Sequence, residues 1–97
     1  MTAYILIRVA VTDMARYREY MALTPPILAK YQGRFIARGG ASVTLEGPEE
    51  TRRLALVEFP TLELAKIFYA SPEYQTAKAV RDGACEAEFV ALEGVQG

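Results

Sequence analysis

Residues 3–11 read Ala3-Tyr4-Ile5-Leu6-Ile7-Arg8-Val9-Ala10-Val11, with Ile5, Ile7, Val9 and Val11 alternating with Tyr4, Leu6, Arg8 and Ala10. A period of two with β-branched residues at every second position specifies a strand. The run is too short to span a membrane. It also lacks a basic leader and a small-residue cleavage pattern, so it reads as structure and not as a targeting segment. Thr12 and Asp13 then supply capping oxygens, and Met14, Tyr17, Tyr20, Met21 and Thr24 recur at helical spacing, continued by Ile27, Leu28 and Tyr31. Pro25 and Pro26 interrupt this stripe. They predict either a kink or a second helix started by Thr24 and Pro25, and Gly33 is expected to stop it.

Beyond Gly33, Arg34 to Gly40 reads as a short strand. The stretch from Ala41 to Arg53 is an exposed connection with room for a brief strand at Val43 to Leu45. Leu54 to Phe59 is a further strand, ended by Pro60. Thr61 caps a helix marked by Leu62, Leu64, Ala65, Phe68 and Tyr69, and Ser71-Pro72-Glu73 restarts it with a hydroxyl cap, a proline and an acid. Tyr74, Ala77, Val80, Arg81 and Ala84 carry the inner face of that segment. A last strand, roughly Glu86 to Leu92, precedes a polar, glycine-containing tail. The halves repeat one order: strand, hydroxyl cap, helix broken at a Thr-Pro or Ser-Pro pair, glycine, strand. This is the α+β, ferredoxin-like βαββαβ pattern, with four antiparallel strands in the order 4-1-3-2 and the helices on one face. One domain over residues 1–97, with an ordered core of about 3–93, is expected from the length.

Composition narrows the function classes. Eleven Lys and Arg stand against twelve Asp and Glu, for a net charge of -1, which supplies no basic excess for nucleic acid or an anionic membrane. Histidine is absent, removing the commonest general base and metal ligand, and the scattered carboxylates form no cluster, so neither a metal nor a cofactor is expected. The single cysteine, Cys85, forms no internal disulfide; a cytoplasmic setting and an inert, packed thiol are the default.

The strand faces speak to assembly. Ile5, Ile7, Val9, Val11, Phe35, Ala37, Ala55, Val57, Phe59, Ala87, Phe89 and Ala91 form the helix-facing set, yet Leu6, Ile36, Leu54, Leu56, Val90 and Leu92 on the other face are apolar too. A sheet with one wet face alternates to polar residues. At about 25 cal/mol per Å², that second face would cost several kcal/mol if left in water. A second copy of the chain packed sheet to sheet is therefore the expected cover, making a homodimer. Strand order places Arg8 near Glu88 at one end of this face, and Glu58 near Tyr4 and Arg34 at the other. Cross-strand pairing gives these charges a structural role. Arg38 shares the end that holds Arg8 and has no evident carboxylate, so the two guanidiniums would converge on a small carboxylate or enolate.

Several stretches resemble a known family: Tyr31-Gln32-Gly33-Arg34-Phe35-Ile36-Ala37-Arg38-Gly39-Gly40, Leu45-Glu46-Gly47, Val57-Glu58-Phe59-Pro60 and Tyr69-Ala70-Ser71-Pro72-Glu73-Tyr74-Gln75. They are similar, in order and from Tyr4 to Gly94, to the bacterial domain-of-unknown-function 1330 family. The resemblance implies a ferredoxin-like fold paired as a dimeric α+β barrel. The wider superfamily is similar in fold to cofactor-free monooxygenases, muconolactone isomerases and haem-degrading enzymes, although a shared fold is no warrant for a shared reaction. Where those enzymes rely on histidine or tryptophan, this chain has neither, which counts against haem degradation.

Two function classes follow. In one, the chain binds, or transforms as a cofactor-independent monooxygenase- or isomerase-like enzyme, a small organic anion or aromatic molecule. Arg8 and Arg38 hold the anion, Tyr69 and Tyr74 line the ligand, and Glu58 or Tyr69 is the candidate catalytic group. Burial would raise the pKa of Glu58 toward the range of a general base, whereas a bridge to Arg34 would leave it structural. In the other, the chain is a non-catalytic dimerisation or stress-associated binding module in which every buried charge is structural. A pocket of a few hundred Å³ with unmatched Arg or Tyr groups distinguishes the first from the second.

Overall fold

The computed structural model describes residues 1–95; Gln96 and Gly97, the end of the expected tail, lie outside the described residues. The elements are β1 (Ala3–Val11), α1 (Met14–Lys30), β2 (Arg34–Arg38), β3 (Arg53–Phe59), α2 (Leu62–Ala70), α3 (Pro72–Val80) and β4 (Cys85–Glu93). The strands form one antiparallel sheet in the order β2-β3-β1-β4. This is the ferredoxin-like arrangement that the element order predicts. Alternation along β1 and β3 buries Ala3, Ile5, Ile7, Val9, Ala55, Val57 and Phe59. All of these but Ala3 meet Tyr17, Tyr20 and Leu28 of α1, Ala65 and Phe68 of α2, and Tyr74 and Ala77 of α3 in one core.

Four local expectations are revised. The Pro25-Pro26 pair neither ends α1 nor starts a new helix: both prolines lie inside it. Pro25 has no N–H to offer the Met21 carbonyl four residues back. That oxygen instead accepts from the Arg38 guanidinium at 2.7 Å and the Thr24 hydroxyl at 3.2 Å, so its loss is made good from outside the ladder. The helix stop is Gln32, which takes the left-handed conformation with φ 66°. Gly33 is demanded by packing, since a methyl group there would come within 2.6 Å of the Phe59 ring. No strand forms at Val43–Leu45, where both apolar side chains stand in solvent.

The fourth revision matters most for function. A bulge in β2 sets Phe35 opposite Val57 but Ala37 opposite Leu56 and Arg38 opposite Ala55. One extra residue reverses every side chain after it. Ala37 thus moves to the open face, and Arg38 crosses to the helix face, over the Phe35 ring at 4.3 Å.

Gly33→Ala is expected to destabilise the fold by about 1–3 kcal/mol, because Phe59 is wholly buried and a rigid ring has nowhere to retreat. Urea unfolding that shows no change in midpoint would refute this account of the glycine.

Candidate functional site

The residues anticipated for anion binding do not come together. Arg8 lies on the open face and pairs with Glu50 Oε1 at 3.2 Å. It stands across from Glu88 in the register, but Glu88 is bound by Arg52, which also bridges Glu50. The 41–52 connection therefore folds back to neutralise this end of the sheet. Arg38, on the other face, is committed to Met21 and Phe35. Glu58 faces Tyr4 and Arg34 in the register and is bridged by Arg34 at 3.0 Å. The described geometry leaves these charges matched to neighbours.

A cavity opens elsewhere. Between α2, α3 and the edge strand β4 lies a cleft of about 490 Å³, lined by Ile5, Ala65, Lys66, Tyr69, Lys78, Arg81, Ala87, Phe89 and Ala91. Its cause is local. In β1 every second side chain is buried, whereas the helix-side residues of β4 are only partly covered, and Ala91 is exposed. The two short helices split at Ser71 do not reach across the edge strand, and the small Ala87 and Ala91 flank Phe89 without filling the gap. Tyr69 and Phe89 meet at 5.7 Å between ring centroids, and Lys78 stands over the Tyr69 ring at 5.7 Å. Three of the lining residues are cations and none is an acid.

Tyr74 is at the centre of the core, 0% exposed, and does not line this cleft. Its place follows from Ser71, whose Oγ donates to the Phe68 carbonyl at 2.7 Å and accepts from the Tyr74 N–H at 3.1 Å. The Tyr74 and Tyr20 hydroxyls share a hydrogen bond of 2.8 Å, and the Arg81 guanidinium donates to Tyr74 at 3.4 Å and toward Cys85 Sγ at 3.8 Å. Burial foremost, then the adjacent Tyr74 phenol, holds the Tyr20 hydroxyl well above its usual pKa of 10, so it stays protonated.

Arg81 is the residue that sequence reasoning missed. It was legible as a cation on the inner stripe of α3, in step with Tyr74 and Ala77, and such a position asks for a partner. In the fold it is 8% exposed. It lies over the rings of Tyr20 at 5.1 Å and Phe89 at 5.5 Å, next to the C-terminal end of α3, where a cation is favoured. Those contacts are each worth about 1–2 kcal/mol at most, against a desolvation cost of several kcal/mol for an unpaired ion.

Among the described residues, no group of three His, Cys, Asp or Glu is placed to hold a metal ion, and no helix is long and apolar enough to cross a membrane. The family description "Domain of unknown function (DUF1330)" matches residues 2–95. The chain belongs to this family. No curated protein matches it. Among solved structures it is similar to a protein of unknown function from Rhodopseudomonas palustris (16% identity, TM-score 0.76, covering 99% of this chain and 84% of that one). A dimeric ferredoxin-like protein of unknown function from Jannaschia sp. is similar at 18% identity and TM-score 0.71, over 97% of this chain and all of that one. SnoaB, a cofactor-independent oxygenase from Streptomyces nogalater, is similar at 13% identity and TM-score 0.69, over 99% and 95% of the two chains. At these identities the likeness is one of fold.

The Glu50 clasp gives the site's far side a pH signature. Hydrogen bonds from Arg52, side chain first and backbone second, hold the Glu50 carboxyl down from 4.5 to about 2. A depressed carboxyl contributes stability above its unfolded value and loses it on protonation. Acidification from about pH 4.5 to about pH 2 should therefore lower the melting temperature more steeply in the wild type than in Glu50→Gln. Parallel curves would show that the clasp carries no stability.

Proposed function

We propose that this chain works as a homodimer in which each subunit binds a small organic anion or aromatic molecule in the cleft between α2, α3 and β4. The observation that carries the ligand reading is the cleft itself: about 490 Å³, walled by Tyr69 and Phe89, with an unmatched arginine in its lining. A binding module with purely structural charges has no use for such a space, since filling it with larger residues would gain packing energy. Arg81 and Tyr69 take the polar roles in this reading, with Tyr74 behind them; Arg8, Arg38 and Glu58 hold the fold. Turnover without a cofactor is its catalytic form, with Tyr69 as the phenol nearest a bound molecule. The fold shared with SnoaB accommodates that form without requiring it.

The homodimer rests on the open sheet face. Leu6, Leu54 and Leu56 are half-buried, while Val90 is 53% and Leu92 67% exposed. Covering this contiguous apolar surface with a second copy gains several kcal/mol at about 25 cal/mol per Å². The cleft lies on the opposite side of the sheet and stays accessible in such a dimer. The Jannaschia neighbour is itself dimeric, which supports self-association.

Light scattering should return twice the 10.7 kDa chain mass at micromolar concentration, and Leu56→Asp should halve it; a wild-type monomer would end the dimer reading. In a thermal-shift screen of small aromatic and carboxylate compounds, a ligand at 100 times its dissociation constant adds about 2.7 kcal/mol. Ala91→Leu, at an exposed position where substitution costs within about 0.5 kcal/mol, should abolish that shift by occupying the cleft. A shift that survives Ala91→Leu would place the ligand elsewhere.

A further inference from the structure

Arg81 is buried without a counter-charge. No carboxylate of the described residues stands within ion-pair distance of it. Its Nη atoms are directed at two neutral partners, the Tyr74 hydroxyl and the Cys85 sulfur. Its Nε is the one buried side-chain nitrogen or oxygen among the described residues with no hydrogen-bond partner. A guanidinium remains charged at every accessible pH, so this positive charge is not relieved by losing a proton. Lys66 and Lys78 add to it in the lining of the same cleft, with no acid among the lining residues.

We infer that Arg81 anchors the carboxylate of the cleft's ligand, an aromatic or otherwise planar acid whose body lies along β4 against Ala87, Phe89 and Ala91. This rests on the reading of the cleft as a ligand site. A carboxylate matches the fork of N–H donors on a guanidinium, and in a dry setting such charge-assisted bonds are about twice as strong as neutral ones. The carboxylate supplies the counter-charge that the guanidinium lacks. A phosphate fits less well. Arg81 caps the C-terminal end of α3, where backbone carbonyls turn their negative ends outward, and a second negative charge there is opposed instead of welcomed.

The buried Tyr20–Tyr74 pair is then a brace. Tyr74 accepts from Arg81 while its own position is fixed by Ser71 and by the hydroxyl of Tyr20. A guanidinium held in this way is oriented before the ligand arrives, which spares ordering entropy on binding. Tyr74 is in this account a positioning residue, acting through Arg81 and touching no ligand.

The test uses the full chain, calorimetry and three matched probes: naphthoate, its neutral amide and naphthyl phosphate. The wild type should prefer naphthoate over naphthamide by roughly 30-fold or more, the loss typical of leaving a buried charge unpaired, and should prefer it over the phosphate. Arg81→Met, which keeps the apolar stem, should bring the acid-to-amide ratio near one, the acid losing far more affinity than the amide. Tyr74→Phe should lower the same ratio part of the way, and it reads the anchor independently should Arg81→Met fail to fold. Equal binding of acid and amide by the wild type, an acid preference that survives Arg81→Met, or a tighter phosphate would overturn the anchor and leave the cleft standing. Binding of none of the three probes would overturn the cleft reading and the anchor together.

Discussion

One hydroxyl holds the arrangement on which the cleft depends. Ser71 Oγ closes the end of α2 through the Phe68 carbonyl and opens α3 through the Tyr74 N–H, Ser71 itself is extended, and Pro72 at the start of α3 has no N–H to carry on the ladder of α2. The break is therefore rigid. It turns Tyr74 into the centre of an aromatic cluster with Phe68, Tyr69 and Phe89, and it shortens both helices so that they cover the inner face of β4 only in part. Core and cleft are two consequences of the same backbone turn.

The charges sort into those the fold satisfies and those it does not. On the open face, Glu50 is shared by Arg8 and Arg52, and Glu58 is taken by Arg34; exposed pairs of this kind contribute little stability but fix register and keep the edges of an apolar surface polar. Behind the sheet, Arg38 replaces the backbone donor that Pro25 removed. Arg81 alone has a wet-phase preference, a dry position and only phenol, thiol and ring faces around it.

Much of the fold was legible in the residues. Period-two alternation in β1, β3 and β4, hydroxyl or acid caps at Asp13, Thr61 and Ser71, and the repeated order of elements lead to the observed sheet. The apolar character of both sheet faces was equally readable, because Leu6, Leu56 and Val90 follow from alternation alone. The candidate site was read less well. Tyr69 and Tyr74 were both read as lining the ligand, and the structure separates them into a cleft wall and a core residue. Arg8 and Arg38 were placed together on the assumption that β2 alternates without interruption.

Local pattern determined the elements, their caps and the two greasy faces, since each depends on neighbours a few residues away in the chain. Tertiary structure decided which cation is buried without a carboxylate. The bulge that carries Arg38 to the helix face arises in the pairing of β2 with β3. The Glu50 that neutralises Arg8 arrives from a connection 42 residues further along the chain. The isolation of Arg81 depends on where α3 sets it against β4. Charge balance in an interior is a property of distances between segments remote in sequence, and those distances exist only once the chain has closed on itself.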